Sequence, residues 1–287
     1  MDEIYSEQSL LDGAISALVE TGAARIVLEV KHNLADLAIN QKIIFYRDLP
    51  QVDFHTCVNW QVQGNPESGV TNLKVAFTAS LPEVEAWFEV PFGAVRRPAD
   101  GQEVPALRWA DVGGSEYGIA LLNDSKYGYD VLGSRLRLTL LRSAYEPDQI
   151  ADLGKHEIRF SFLPHPGDWR RADVVRGALG YNQPLLAVES SHSSKASTNP
   201  IWLPGVTGSS TILLSGMKLA KEGKGRILRF YESSGMSGEI EVQGIPERAT
   251  VWETNIVEDK LHALPITDGK LPLAFRPWQL RTILVED

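Results

Sequence analysis

Residues 135–143 read RLRLTLLRS, and this stretch decides the class of fold. Leu136, Leu138 and Leu140 alternate with Arg135, Arg137 and Thr139. Successive side chains of an extended chain point to opposite faces, so the segment has one apolar and one charged face. On a helix the same leucines would be scattered around the circumference. The period of two recurs upstream in ARIVLEVKH (24–32), where Ile26, Leu28 and Val30 share a face, and in LAINQKIIFYRD (37–48), VDFHTCVNWQV (52–62) and LKVAFTASL (73–81). Downstream it returns in HEIRFSFLPH (156–165), ILRFYES (227–233) and QLRTILVED (279–287). The separators are turn sequences: QGNPESG (63–69), RPADGQ (97–102), SSGMSG (233–238) and TDGK (267–270). Strands follow strands without intervening long helices, which predicts an all-β protein of sandwich type.

Two stretches carry helical spacing. SLLDGAISALVE (9–20) has apolar residues at 10, 11, 14, 15, 18 and 19, but Gly13 interrupts it and ISALVE also alternates, so helix and strand both stay open. DWRRADVVRGALGYN (168–182) puts Val174, Val175 and Leu179 on one side and reads as a helical turn or two. The serine-rich ESSHSSKASTNP (189–200) has linker composition. The expected organisation is therefore a large β domain over 1–190 and a smaller one, of immunoglobulin-sandwich size, over 191–287.

The chain has 287 residues and a formal net charge of −9, which argues against a nucleic-acid partner. No apolar run approaches the length of a membrane span. MDEIYSEQSL (1–10) has no basic and apolar regions of a signal peptide. Cys57 is the single cysteine, so no intramolecular disulfide and no cysteine zinc site is expected, which fits a reducing, cytoplasmic setting.

Motifs for chemistry are sparse. The six histidines form no HExxH, and there is no P-loop, GxSxG or GxGxxG. Asp53 and His55 share a strand face, and His165 sits in the shaped loop LPHPGDW (163–169), which reads as a structural corner around an indole. The densest polar cluster is NDSKYGYD, 123–130. It is either a solvated hairpin loop or a lining for a sugar. Asp124 accepts, Lys126 donates, Tyr127 and Tyr129 offer ring faces and hydroxyls, and Gly128 permits close approach. Trp109, just upstream in RWADVGGSEYG (108–118), is the candidate aromatic platform for a pyranose.

Several blocks then carry a resemblance. VPFGAVRRP (90–98), PALRWADV (105–112), YGIALLNDSKYGYDVLGSRLRLTLLRS (117–143), FLPHPGDW (162–169) and NQPLLAVE (182–189) resemble the C-terminal β region of the glycoside hydrolase family 38 α-mannosidases. GRILRFYESSGMSGEIEV (225–242), ERATVWETNIVEDKL (247–261) and FRPWQLRTILV (275–285) resemble the end of the same enzymes, in the same order. The form NDSKYGYD resembles the bacterial branch. The resemblance implies a galactose-mutarotase-like β-supersandwich portion followed by an immunoglobulin-like sandwich. It also implies a parent that is a retaining exo-glycosidase releasing α-linked mannose. The nucleophilic aspartate and the zinc, held by histidines and aspartates, would lie in an upstream α/β catalytic domain of the same polypeptide. This chain would then carry no catalytic residue, metal or cofactor of its own. It is expected to be the non-catalytic C-terminal portion of a larger enzyme, with 123–130 as a loop approaching the mannoside and Lys126 as the basic residue that reaches it. The stretch SSHSSKASTNPIWLPGVTGSST (190–211) is longer than the family's usual link. Two other readings compete. One is a free-standing carbohydrate-binding β-sandwich with sugar affinity of its own. The other is an aldose-epimerase-like enzyme using His55 and a nearby carboxylate as base and acid.

Overall fold

The computed structural model describes residues 14–34, 37–67, 69–187, 189 and 203–286. The chain forms two compact units. One comprises Met1–Glu89 with Val95–Pro184, the other Val90–Ala94 with Leu185–Asp287. The boundary expected near 190–200 falls outside the described residues.

The first unit contains β1 (Ile15–Thr21), β2 (Arg25–Leu34), β3 (Leu37–Tyr46), β4 (Val52–Trp60), β5 (Thr71–Thr78), β6 (Glu85–Val90), β7 (Gly93–Arg97) and β8 (Val104–Pro105). There follow β9 (Trp109–Gly113), β10 (Tyr117–Asn123), β11 (Gly128–Leu132), β12 (Arg135–Ser143), β13 (Gly154–Pro166) and α1 (Val174–Asn182). They build a nine-stranded sheet, β1-β2-β3-β4-β13-β10-β9-β6-β7, and a four-stranded sheet, β5-β12-β11-β8. ISALVE, left open between helix and strand, is strand β1.

The stretch that decided the fold class is β12, and its leucines are the floor of the core. Leu136 and Leu138 have no exposure, and they pack with Tyr129 and Val131 of β11 against Leu121, Ile158 and Phe160 of the larger sheet. The doubled Leu140–Leu141 breaks the alternation. It is accommodated by a register shift between Thr139 and Leu141 against β5, so both leucines are buried. Phe77 of β5 closes one side of the sandwich, with its ring 4.4 Å from Phe162 and 5.8 Å from Phe54 across the sheets.

Among the described residues α1 is the only α-helix, where the sequence predicts a turn or two. It packs on β9 and β10, on the face of the nine-stranded sheet away from the core, through Val174, Val175 and Ala178. A buried ion pair joins β13 to β9 on either side of β10. His165 Nε2 lies 2.6 Å from Asp111 Oδ2, and His165 Nδ1 lies 3.2 Å from the Gly167 carbonyl. A carbonyl only accepts, so Nδ1 carries a hydrogen. Burial opposes the imidazolium, but Asp111 and the carbonyl outweigh it and raise the His165 pKa above its ordinary 6.5. The imidazole packs closely on Gly118, its cross-strand partner: a Cβ there would sit 2.7 Å from His165 Cε1.

The second unit contains β14 (Gly205–Gly208), β15 (Ile212–Leu219), β16 (Arg226–Glu232), β17 (Gly238–Gln243), β18 (Thr250–Thr254), β19 (Lys260–Leu264), β20 (Lys270–Phe275) and β21 (Leu280–Glu286). They form a three-stranded sheet, β14-β17-β20, and a five-stranded sheet, β15-β16-β21-β18-β19, around Leu228, Phe230, Val242 and Ile283. Its most buried charge is Glu232. That carboxylate accepts backbone N–H groups of Ser234 (2.9 Å), Gly235 (2.8 Å), Met236 (3.1 Å) and Trp278 (3.1 Å), and the Ser234 hydroxyl. Burial pushes this carboxyl up, but the donors win and hold it below its ordinary 4.5. A large sandwich thus precedes a smaller one, and the chain is all-β as the period of two required.

Candidate functional site

NDSKYGYD joins β10 in the larger sheet to β11 in the smaller one, so it crosses an end of the first sandwich. Its organiser is Asn123, buried at the end of β10. Asn123 Oδ1 accepts from the backbone N–H of Ser125 (2.9 Å) and Lys126 (2.6 Å), an Asx turn. Asn123 Nδ2 donates to the Leu107 carbonyl at 3.0 Å and to the Tyr129 hydroxyl. The main chain is pinned as well. Asn123 N donates to Arg108 O (2.9 Å), Ala106 N to Tyr127 O (3.0 Å), and Asn182 Nδ2 from the end of α1 to Asn123 O (2.9 Å).

The neighbouring segment is held as firmly. Arg108 grips the buried Glu89 through its backbone N–H (2.7 Å) and Nε (3.0 Å). Asp130, also buried, is paired with Lys74 at 2.8 Å and with Arg137; Lys74 in turn pairs with Glu103 at 2.6 Å. A Cβ at Gly128 would lie 2.4 Å from Glu103 Oε1, so a larger residue here would push the Glu103 side chain aside. The close approach that this glycine permits is therefore to Glu103.

The predicted site residues separate sharply. Lys126 is half-buried on the turn, and among the described residues its ammonium has no hydrogen-bond or ion-pair partner. Tyr127 is exposed beside it. Asp124 is ion-paired with Arg159, whose Nε lies 2.7 Å away, so its charge is already matched. Two candidates are corrected. Tyr129 has no exposure, and its hydroxyl is used by Asn123 and the Leu121 carbonyl. Trp109 also has no exposure, and Trp169 packs 5.0 Å from it, so its ring offers no platform to a sugar. A platform must present a face to solvent; Tyr129 points into the sandwich core, and Trp109, on the opposite face of its sheet, is covered by Trp169. The sequence reading missed Asn123 as organiser and Arg159 as the partner of Asp124. The N-x-S/K form of an Asx turn was a legible signal for the first; nothing local signals the second, which arrives from β13.

Asp53 and His55 lie on the face of β4 away from the core, yet Asp53 is occupied by the Tyr46 hydroxyl (2.7 Å) and Gln51 Nε2 (3.0 Å). Among the described residues no group of three or more His, Cys, Asp or Glu is placed to hold a metal ion. No described helix is long and apolar enough to cross a membrane.

Residues 3–149 match the family model described as "Glycosyl hydrolases family 38 C-terminal domain", and residues 211–283 match "Glycosyl hydrolases family 38 C-terminal beta sandwich domain". Alpha-mannosidase 2C1 of Mus musculus is 31% identical over 277 residues, covering 92% of this chain and 26% of that protein. Alpha-mannosidase G of Dictyostelium discoideum is 32% identical over 249 residues, covering 81% of this chain and 22% of that protein. The chain thus spans about a quarter of the length of these curated relatives. An alpha-mannosidase structure from Enterococcus faecalis shares the fold with a TM-score of 0.76 at 17% identity, over 94% of this chain and 35% of that one. The two family models follow the order of the two sandwiches along the chain, and this protein belongs to glycoside hydrolase family 38, whose C-terminal domain and C-terminal β-sandwich domain it carries.

Proposed function

We propose that this chain is the C-terminal β portion of a retaining α-mannosidase and that its β10–β11 turn lines the cleft for a terminal α-linked mannose. The single observation that carries the reading is Lys126. A backbone immobilised by Asn123, Ala106 and Asn182 presents a half-buried ammonium with no partner among the described residues. Lysine without an acceptor at a fixed position is poised to donate to a sugar hydroxyl, and a fixed turn has little conformational entropy left to lose on binding. Tyr127 beside it offers a ring for the apolar face of a pyranose. Asp124, neutralised by Arg159, leaves the Lys126 charge unopposed on the turn.

On this reading the nucleophile belongs to an α/β region N-terminal to these domains in the same polypeptide. Zinc, when bound in that region, orients the sugar hydroxyls. The 287-residue chain contributes scaffold and one wall of the cleft. The net charge of −9 favours neither nucleic acid nor anionic membrane as a partner, and the lone Cys57 suits the cytoplasm of a bacterium.

The test is an aryl α-mannoside assay of the 287-residue chain beside the longer polypeptide. The chain alone is expected to be inactive with or without zinc, and the longer polypeptide active. Lys126→Ala is expected to leave stability within about ±0.5 kcal/mol and to lower kcat/KM of the longer enzyme about tenfold to a hundredfold, the worth of a charged hydrogen bond. Turnover by the chain alone, or unchanged kinetics in the variant, refutes the reading. Strong mannose binding by the chain alone would favour the free-standing sugar-binding sandwich instead.

A further inference from the structure

A second polar cluster lies beside the β10–β11 turn, on the face of the nine-stranded sheet away from the core. Cross-strand partners share a face. Lys42 of β3, His55 of β4 and Arg159 of β13 are such partners and form a row on that face. The row ends at the turn, where Arg159 Nε lies 2.7 Å from Asp124 Oδ2. The buried Asp53, two residues before His55, shares the face and is held by Tyr46 and Gln51. Helix α1 ends beside the same turn, since Asn182 Nδ2 donates to the Asn123 carbonyl at 2.9 Å. The residue before it, Tyr181, places its phenol within electrostatic range of Asp53, Asp124 and Arg159. The Tyr181 hydroxyl is the anomaly. Its oxygen is buried, and among the described residues it has no hydrogen-bond partner. Such a group destabilises a fold and calls for a reason. Burial, and after it the charges of Asp53 and Asp124, push the phenol's pKa up, so it keeps its hydrogen. Burial also holds the His55 imidazole below its ordinary 6.5; Arg159 and Lys42 add to this against the pull of Asp53 and Asp124. The ring is therefore neutral at pH 7, with one nitrogen donating and the other accepting.

We infer that Tyr181, His55, Arg159 and Asp124 form a subsite for a second sugar ring, the one to which the terminal mannose is linked. This rests on the proposed function above. The chemistry of the cluster selects a neutral polyol. A sugar hydroxyl both donates and accepts, and the phenol and the neutral imidazole each do the same. Arg159 and Asp124 supply further donors and acceptors while cancelling each other's charge. An anion would meet the carboxylates of Asp53 and Asp124, and a cation would meet Arg159 and Lys42. Asp124 and Lys126 stand two residues apart on one turn, a span of at most about 7 Å, so a ring at Lys126 and a ring at the cluster are neighbours along one glycan.

The experiment uses the longer polypeptide with two substrates: an aryl α-mannoside, which has one sugar ring, and an α-linked mannose disaccharide, which has two. Tyr181→Phe removes only the hydroxyl. It is expected to lower kcat/KM for the disaccharide relative to the aryl mannoside by about two- to tenfold, the worth of one neutral hydrogen bond. His55→Ala, at an exposed position, should shift the same ratio in the same direction. Lys126→Ala should instead lower both substrates together. Tyr181→Phe should melt at or above wild type, because no bond within the fold is lost. The subsite is overturned if both variants keep the wild-type ratio, or if Tyr181→Phe melts well below wild type, which would show the hydroxyl bonded within the fold. A longer polypeptide inactive on both substrates sinks the proposed function and the subsite with it. One active on both, with a ratio that neither variant moves, sinks the subsite alone.

Discussion

Replacing Asn123 by alanine should disorder the turn that presents Lys126 and destabilise the first unit by about 4–5 kcal/mol. The sum follows from four lost hydrogen bonds. Two join Asn123 Oδ1 to the N–H groups of Ser125 (2.9 Å) and Lys126 (2.6 Å), where water can substitute, so each costs about 1 kcal/mol. The other two leave the Leu107 carbonyl and the fully buried Tyr129 hydroxyl short of a partner, at about 1–3 kcal/mol for a buried group. Tyr129 keeps the Leu121 carbonyl at 3.3 Å as its acceptor, which holds the total toward the lower end. For a unit of this size each kcal/mol moves the midpoint by about 2–4 °C, so a fall of roughly 10 °C is expected. Urea unfolding gives the free energy, and hydrogen exchange at the Lys126 and Ser125 amides reports the turn itself. Both amides should be protected in the wild type and fast in the variant. Asn123→Asp separates the two parts, since it retains the acceptor for the turn amides while setting a carboxylate against the Leu107 carbonyl. Protected turn amides and a loss below about 1 kcal/mol in Asn123→Ala would refute the role given to Asn123.

The remaining predictions concern buried charge and close packing. Folding raises the His165 pKa, so its stabilisation is complete below the unfolded value of 6.5 and is lost as pH climbs through the folded value; unfolding midpoints should fall over that window, and His165→Gln should flatten the dependence. Glu232 behaves oppositely: its folded pKa lies below 4.5, so its stabilisation is present above that pH and disappears as acid reaches the folded value. Glu232→Gln, which turns an amide donor toward the backbone N–H groups, should cost the second unit about 2–4 kcal/mol by denaturant titration. Gly118→Ala should destabilise the first unit by about 1–3 kcal/mol, because the added Cβ meets both His165 Cε1 (2.7 Å) and Gly113 Cα (3.0 Å); wild-type stability would show that the pocket around His165 can open.

What could be read from the sequence alone was whatever depends on neighbours along the chain. RLRLTLLRS predicts a strand with a buried leucine face, because side-chain direction in an extended chain is set by parity, and Leu136 and Leu138 are fully buried as that requires. The short helix was legible in Val174, Val175 and the residues a turn later for the same local reason. The blocks that resemble family 38 fixed order and identity without any geometry. Exposure within the candidate site was not legible. Lys126, Tyr127, Tyr129 and Trp109 lie within about twenty residues of one another, yet Tyr129 and Trp109 are wholly buried and Tyr127 is open. Parity says that alternate residues face opposite ways; it does not say which side another layer covers. That is decided by partners distant in sequence: Trp169 over Trp109, Arg159 on Asp124, Asn182 on the Asn123 carbonyl. The apolar rows of β2 and β3 make the same point. Ile26 and Leu28 alternate as cleanly as any core strand, but the smaller sheet has four strands against nine, and only the tertiary arrangement of unequal sheets decides that Ile26 is left exposed among the described residues.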